Sequence, residues 1–260
     1  MQTEIAARLV ALNEQFYQTF GREFSATRQR LQPGVWRILE GLQGGENILD
    51  LGCGNGELAR ELLRRGHRGR YTGLDFSLPL LETARKGPDR EGFVFLEVNF
   101  GAPEWESALR SIPHASLDIV TAFAFLHHIP GEALRLELLR KMHALLCPAG
   151  KFIHSEWQFH NSEKLRRRIQ PWSEAGLEER QVEAGDCLLD WRGGGRGLRY
   201  VHLFTETELA SLAASAGFRV CETFLSDGQN GRLGLYQAWQ PTSNSLPPAA
   251  LPLSDDNQYE

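Results

Sequence analysis

The chain is poor in cysteine. Four thiols, Cys53, Cys147, Cys187 and Cys221, are scattered through 260 residues, and no two form a CxxC pair. That spacing supports neither a zinc cluster nor a disulfide framework, and the expected setting is a reducing, cytoplasmic compartment. No run of about 18 apolar residues occurs, so no membrane-spanning segment is expected. The opening Met1-Gln2-Thr3-Glu4 lacks the basic-then-apolar pattern of a secretory signal. Positive charge is not in excess either. The net charge is -5, and residues 203–260 hold two basic against seven acidic side chains. A sequence-blind nucleic-acid binder would carry a basic face, so bulk charge argues against one while leaving a local basic site open. What is present is ordinary: 42% hydrophobic and 23% charged residues exclude a disordered or collagen-like chain. The length fits one large domain, or a domain with an insertion, with a sizeable core.

Residues 3–20 place Ile5, Leu9, Leu12, Phe16 and Phe20 at helical spacing. A second helix is expected after Pro33-Gly34, closing at Gly44-Gly45; residues 1–44 then form a helical N-terminal segment. Between residues 47 and 156, short apolar runs alternate with amphipathic ones. Strands are expected at 47–51, 71–74, 93–98, 117–123 and 150–156. Helices are expected at 57–65, 78–85, 105–110 and 131–146. Such alternation needs crossover connections and a parallel sheet covered on both faces. Residues 158–202 break the pattern. Three tryptophans across 157–191 and the glycine-rich stretch 193–197, expected to be flexible, mark them as an insertion for substrate. A helix at 206–216 returns, with Thr205 and Glu208 as a capping box and Gly217 as its stop. Runs at 219–225 and 234–239 flank Asp227-Gly228 and are expected to pair antiparallel. The domain would span 45–240, and the Pro- and Ser-rich tail, 241–260, is expected to be disordered.

The sharpest signal is the strand Ile48-Leu49-Asp50-Leu51 running into Gly52-Cys53-Gly54-Asn55-Gly56-Glu57. Glycines are needed where the backbone turns tightly and approaches a ligand. The dinucleotide fingerprint is G-x-G-x-x-G; here Glu57 takes the third glycine position. A glutamate facing a pyrophosphate disfavours NAD, whereas G-x-G-x-G suits a cofactor without phosphates. Nineteen residues beyond Gly56, at the end of the second strand, Asp75 can accept both hydroxyls of a ribose. The plainer reading is a strand-to-helix turn followed by a helix cap. Together, Asp50-x-Gly52-x-Gly54-x-Gly56 and Asp75 resemble the first two motifs of class I S-adenosylmethionine-dependent methyltransferases, over about residues 45–156. The resemblance implies an α/β fold: a Rossmann-like, seven-stranded, mostly parallel sheet with an antiparallel last strand. It also implies that Asp50 and Gly52 to Gly56, Cys53 included, wrap the methionine and ribose, that Asp75 binds the ribose and that Phe76 packs on the adenine. Ala122, Phe123 and His127 would complete the cofactor shell. Many relatives carry an aspartate after the third strand for the adenine amine; this chain has Asn99-Phe100, whose amide oxygen can accept the same bond.

The segment Phe125-Leu126-His127-His128-Ile129 follows the fourth strand, where a methyl acceptor usually lies. Its histidines either satisfy a helix start or act as a general base for an amine or phenol. A carboxylate acceptor needs no base; it needs positioning and an arginine fork to hold it. The segments Phe24-Ser25-Ala26-Thr27-Arg28, His127-His128, Leu198-Arg199-Tyr200-Val201-His202 and Asp227-Gly228-Gln229-Asn230 resemble the tRNA wobble-uridine carboxymethyl methyltransferases, over roughly residues 13–239. That resemblance implies methyl transfer to the carboxylate of a 5-carboxymethyl-uridine in tRNA. Arg28, His128 and Arg199 would be catalytic, with Tyr17, Arg192, Tyr200 and His202 binding substrate. It also implies a small zinc-binding activating subunit as partner. The chain departs from the family at Val201, where a second tyrosine is usual, and in the local expansion 193–197. No resident metal is expected. The alternatives are a small-molecule O- or N-methyltransferase with the insertion as a lid, a non-catalytic scaffold, which the intact glycine loop opposes, and an NAD oxidoreductase, which Glu57 opposes.

Overall fold

The strand–helix alternation closes into one twisted sheet. A computed structural model describes residues 1–26, 30–87, 90–102 and 104–242. Helices α1 (Thr3–Ala26) and α2 (Pro33–Glu40) precede β1 (Ile48–Leu51), α3 (Glu57–Arg64), β2 (Tyr71–Asp75), α4 (Leu78–Arg85) and β3 (Phe93–Glu97). Then come β4 (Leu117–Phe123), α5 (Glu132–Leu145) and β5 (Leu146–Trp157). The insertion holds α6 (Glu163–Arg166), β6 (Ile169–Gln170), β7 (Asp186–Trp191) and β8 (Gly197–His202), and α7 (Glu206–Ser215), β9 (Phe218–Ser226) and β10 (Gly234–Pro241) complete the chain.

The main sheet has the order β3-β2-β1-β4-β5-β10-β9. Strands β1 to β5 are parallel, and β10 runs antiparallel to both its neighbours. The expected seven strands and reversed last strand are therefore present. The inner strands β1, β2, β4 and β10 are buried on both faces, whereas the edge strands β3 and β9 are partly exposed. Leu49, Leu51, Val120, Leu138, Met142, Leu209 and Trp239 pack on the face covered by α5 and α7. Val35, Ile48, Leu58, Leu62, Tyr71 and Tyr236 pack on the face covered by α2 and α3. The chain steps outward from β1 to β3 and then returns to the other side of β1 at β4. This reversal opens a crevice at the carboxyl ends of the strands, where open α/β sheets bind ligands.

Three local expectations are corrected. First, α1 does not stop near residue 20. It runs on through Gly21 to Ala26, and the missing side chain at Gly21, where a Cβ would approach the Ser77 Oγ to 3.1 Å, lets α1 lie close on α4. Second, the insertion is more ordered than its composition implies. Strands β6, β7 and β8 form a separate antiparallel sheet, and residues 192–196 are its hairpin turn. This turn is packed, not a free linker: Cβ atoms at Gly195 and Gly197 would strike Phe20 at 2.9 and 2.5 Å. Third, the capping box is half present. The Thr205 hydroxyl accepts the Glu208 N–H at 3.1 Å, but the Glu208 carboxylate turns to His202. Strand β10 continues to Pro241, so the sheet extends one residue past the expected boundary; the rest of the tail expectation, 243–260, lies outside the described residues.

Candidate active site

The crevice is a cavity of about 530 Å³. Its floor is the glycine turn between β1 and α3. Gly52, Gly54 and Gly56 have φ of +69°, +55° and +80°, the left-handed region that side chains disfavour. Their surroundings differ. A Cβ on Gly52 would lie 2.7 Å from Phe125 and one on Gly56 2.9 Å from Ala84, whereas one on Gly54 meets nothing closer than 4.0 Å. Gly54 thus leaves open space inside the cavity, a cradle that a ligand can occupy. Gly52, Cys53 and Gly54 line the cavity; Gly56 is spent on helix packing.

Two carboxyls sit at this turn. Asp75 accepts the Gly54 N–H at 2.9 Å and the Ser77 N–H at 2.8 Å. Burial pushes its carboxyl up to about 6, against the lowering effect of those backbone donors. Asp50 accepts the Tyr71 hydroxyl at 2.5 Å and the Thr121 hydroxyl at 2.7 Å, and burial raises it to about 6 as well. Each oxygen of Asp75 keeps a second lone pair, enough to receive ribose hydroxyls. Open space over Gly54, an acid one strand away and the aromatic Phe76 and Phe100 along the same wall fit a nucleoside cofactor without phosphates.

The opposite side is built by the loop after β4. The chain enters that loop through Ala124, whose φ of +51° is unusual for a residue with a side chain. Its N–H donates to the Ser155 Oγ at 3.0 Å. The turn lays Phe125 on Gly52 and presents His127 and His128. His128 Nδ1 faces the Tyr200 carbonyl at 3.2 Å, and a carbonyl only accepts, so Nδ1 carries the proton. Nε2 then accepts from the Tyr17 hydroxyl at 3.0 Å. His127 Nδ1 and Glu156 share a hydrogen bond at 2.9 Å, and the His127 backbone N–H donates to the same oxygen at 3.1 Å. The other Glu156 oxygen faces His154 Nδ1 at 2.8 Å. Burial pushes the Glu156 carboxyl well up and the His154 imidazole down to about 3.

Arg199 reaches the cavity from β8. It is 4% exposed, and its guanidinium lies 4.8, 5.4 and 6.0 Å from the rings of Trp157, Phe16 and Trp191. An aromatic box of this kind holds a cation and keeps water from it, strengthening its attraction for an anion.

The structure thus brings together Tyr17, Asp50, Gly52, Cys53, Gly54, Asp75, Phe76, Asn99, Phe100, Phe123, His127, His128 and Arg199. It does not bring Gly56, Ala122, Arg192, Tyr200 or His202 to the cavity. Ala122 is core. Arg192 lies on the hairpin turn, paired with Asp190 at 2.7 Å. Tyr200 and His202 follow Arg199 at the wrong parity: alternation along a strand points them to the other face. There the Tyr200 hydroxyl donates to Asp186 at 2.7 Å and accepts from Arg135 at 3.0 Å. His202 lies between Asp186 and Glu208 at 2.6 and 2.8 Å. Their expected substrate contacts are replaced by a buried polar network. Arg28 lies outside the described residues. Sequence reasoning missed Asn13, Glu14 and Glu156. The first two share the helical face of Val10 and Tyr17 at three- and four-residue spacing. Glu156, with His154, is a polar residue at inward positions of an otherwise apolar strand, a readable signal.

A profile of the methyltransferase domain matches residues 24–223. The chain belongs to this methyltransferase family. The Methanosarcina mazei S-adenosylmethionine-dependent methyltransferase superposes with a TM-score of 0.60 at 24% identity, covering 81% of this chain and 98% of that one. A Haloferax volcanii putative methyltransferase, solved with the Trm112 methyltransferase activator, gives 0.54 at 16% identity, covering 94% and 96%. In sequence, the tRNA (carboxymethyluridine(34)-5-O)-methyltransferase of Schizosaccharomyces pombe is 26% identical over 225 residues, 80% of this chain and 89% of the yeast protein. The ubiquinone biosynthesis O-methyltransferase of Actinobacillus pleuropneumoniae is 31% identical over 114 residues, 43% and 45% of the two chains. A probable tRNA methyltransferase 9B of Bos taurus is 23% identical over 65% of this chain, which spans only 35% of the bovine protein. The glycine turn and the buried acid beside it fit S-adenosylmethionine, which would supply an electrophilic methyl group when bound. No helix among the described residues is long and apolar enough to cross a membrane.

Proposed function

We propose that this methyltransferase esterifies the carboxylate of a 5-carboxymethyl-uridine in tRNA. The observation that carries the reading is Arg199, a buried, aromatic-boxed cation on the cavity wall. Its planar fork suits a carboxylate, which it would hold through two parallel hydrogen bonds. A carboxylate is already ionised at neutral pH. Its oxygen bonds to the methyl carbon as the carbon–sulfur bond breaks, and no proton has to move, so positioning supplies most of the rate. On this reading the hydroxyl of Tyr17, held on His128, helps to orient the acceptor, and Arg28 is a second candidate cation on the strength of the family resemblance alone. The likeness to the yeast tRNA enzyme over most of both chains supports it.

RNA binding would rely on few phosphate contacts and on shape. The insertion's arginines are largely neutralised at the surface: Arg167 pairs with Glu163, Arg180 with Glu178 and Arg196 with Glu174. A small activating subunit is part of the proposal, supported by the neighbour solved with such an activator. The second reading, a small-molecule O- or N-methyltransferase, is favoured by the His127–Glu156 pair, which can take a proton from a phenol or amine, and by the likeness to the ubiquinone biosynthesis enzyme.

Nucleoside mass spectrometry of tRNA from cells lacking this gene separates the two. Loss of a uridine methyl ester with gain of its free acid is the expected outcome. An unchanged nucleoside profile would sink the tRNA reading.

A further inference from the structure

The order of the strands places the parts of the cofactor. Asp75 ends β2 and is the acid placed to receive the ribose; the methyl acceptor side lies at β4, with His127 and His128. Sheet order runs β3-β2-β1-β4, so the nucleobase, on the far side of the ribose from the methyl group, must lie toward the end of β3. There stand Asn99 and Phe100, both lining the cavity. An adenine presents an exocyclic amine with two N–H donors, and its recognition calls for an acceptor.

Asn99 offers such a donor one remaining neutral lone pair, less than a carboxylate would. Its Oδ1 already receives the Gly101 N–H at 2.9 Å, and its amide nitrogen donates to the carboxylate of Glu14. These two bonds fix the amide orientation: the oxygen faces a backbone donor and the nitrogen faces an acid. Glu14 belongs to α1, on the same helical face as Val10, Asn13 and Tyr17, and all four line the cavity. An ionised carboxylate has about four acceptor sites and no donor. Asn99 takes one of them and leaves capacity on the cavity side.

We propose that Glu14 is the adenine-recognising residue, its carboxylate accepting the exocyclic amine while Asn99 holds it in place. The N-terminal helix then supplies base specificity to a cofactor otherwise held by β1 and β2. The inference rests on the use of S-adenosylmethionine and is independent of the acceptor's identity.

The test is titration calorimetry with S-adenosylhomocysteine and with its analogue carrying hydrogen in place of the exocyclic amine. A charge-assisted hydrogen bond should make the wild type prefer the adenine form on the order of ten-fold. Glu14→Gln, which keeps the helix and a neutral acceptor, should shrink that preference to about three-fold, and Glu14→Ala should abolish it. Comparing two ligands on one variant cancels any general damage to the cavity. A wild type without preference, variants that keep the full preference, or equal weakening of both ligands (the sign of a ribose contact or a structural role) would each overturn the assignment.

Discussion

The two walls of the cavity are made differently. Most of the cofactor wall is one continuous stretch of chain: β1, its glycine turn and, after α3, the acid that ends β2, with Glu14 and Asn99 joining it from α1 and the end of β3. Its ligand-facing groups are largely backbone, set by three left-handed glycines and two buried carboxyls. The acceptor wall is assembled from side chains on elements far apart in sequence: Tyr17 on α1, His128 after β4 and Arg199 on β8. A backbone cradle tolerates little variation because it depends on torsion angles. A wall of convergent side chains can be rebuilt residue by residue. One scaffold can therefore keep its methyl donor while changing its acceptor.

The largest expected effect breaks the cofactor wall alone. Gly54→Leu places a side chain in the open space over the turn and strains a φ of +55°. S-adenosylhomocysteine binding should fall beyond detection by calorimetry, while the melting curve records a loss of about 1 kcal/mol. Gly56→Leu should invert that pattern, because its side chain enters the packing against Ala84: an overpacking penalty of about 1–3 kcal/mol or more, with cofactor affinity reduced only as folded protein is lost. Equal behaviour of the two variants would show that the glycines do not divide their work this way.

Next in size is the acceptor wall. Arg199→Lys keeps the charge and loses the fork. Under the carboxylate reading, turnover should fall by a factor of about 100 or more, an effect of the size of breaking a buried charge pair, with S-adenosylhomocysteine affinity unchanged. Wild-type turnover would remove Arg199 from the acceptor site; weakened cofactor binding would join the two walls that the geometry separates.

Asp75 gives a smaller and pH-dependent effect. Asp75→Asn should cost about 1–3 kcal/mol of cofactor affinity. Burial holds the carboxyl at about 6, and ribose hydroxyls bind its ionised form. Wild-type affinity should therefore decline as pH falls through about 6, and the decline should be clearly smaller in the variant, where Asp50 is the carboxyl of the turn that still titrates near 6. A flat wild-type profile would argue that another group holds the ribose.

The cofactor wall was legible in the sequence because its information is local. Gly52, Gly54, Gly56 and Asp75 lie within one strand–turn–helix–strand unit, and their spacing carries the geometry. The acceptor wall was legible only in part. Arg199, Tyr200 and His202 read as one motif, yet strand alternation sends the first into the cavity and the others away from it. Only the pairing of β7 with β8 reveals that parity. The insertion's strands were missed because β6 has two residues and β7 mixes Asp186 and Asp190 among its apolar positions. Asp186 is buried against Arg135, Tyr200 and His202 from other elements, and Asp190 is paired with Arg192 of the adjoining turn. Glu14 escaped notice because nothing local distinguishes it from a solvated helix glutamate; its meaning comes from Asn99, 85 residues away.

The residues that alternation turns away from the cavity supply the smallest effect. Burial pulls the His202 imidazole down, but hydrogen bonds to Asp186 and Glu208 outweigh it and raise it above its usual 6.5, with Arg135 opposing. A raised folded-state value means that the fold gains stability from the protonated ring. The gain is fully present below about 6.5 and is lost as pH rises through the higher folded value. His202→Gln keeps a polar side chain but cannot titrate. Wild type should be more stable than the variant at pH 6, by an amount on the order of 1 kcal/mol for a charged hydrogen bond, and the gap should narrow toward pH 9. Cofactor affinity and turnover should track the folded fraction alone. A pH-independent gap would mean that His202 is neutral in the fold, and a change in acceptor KM would return it to the site that its position on β8 denies it.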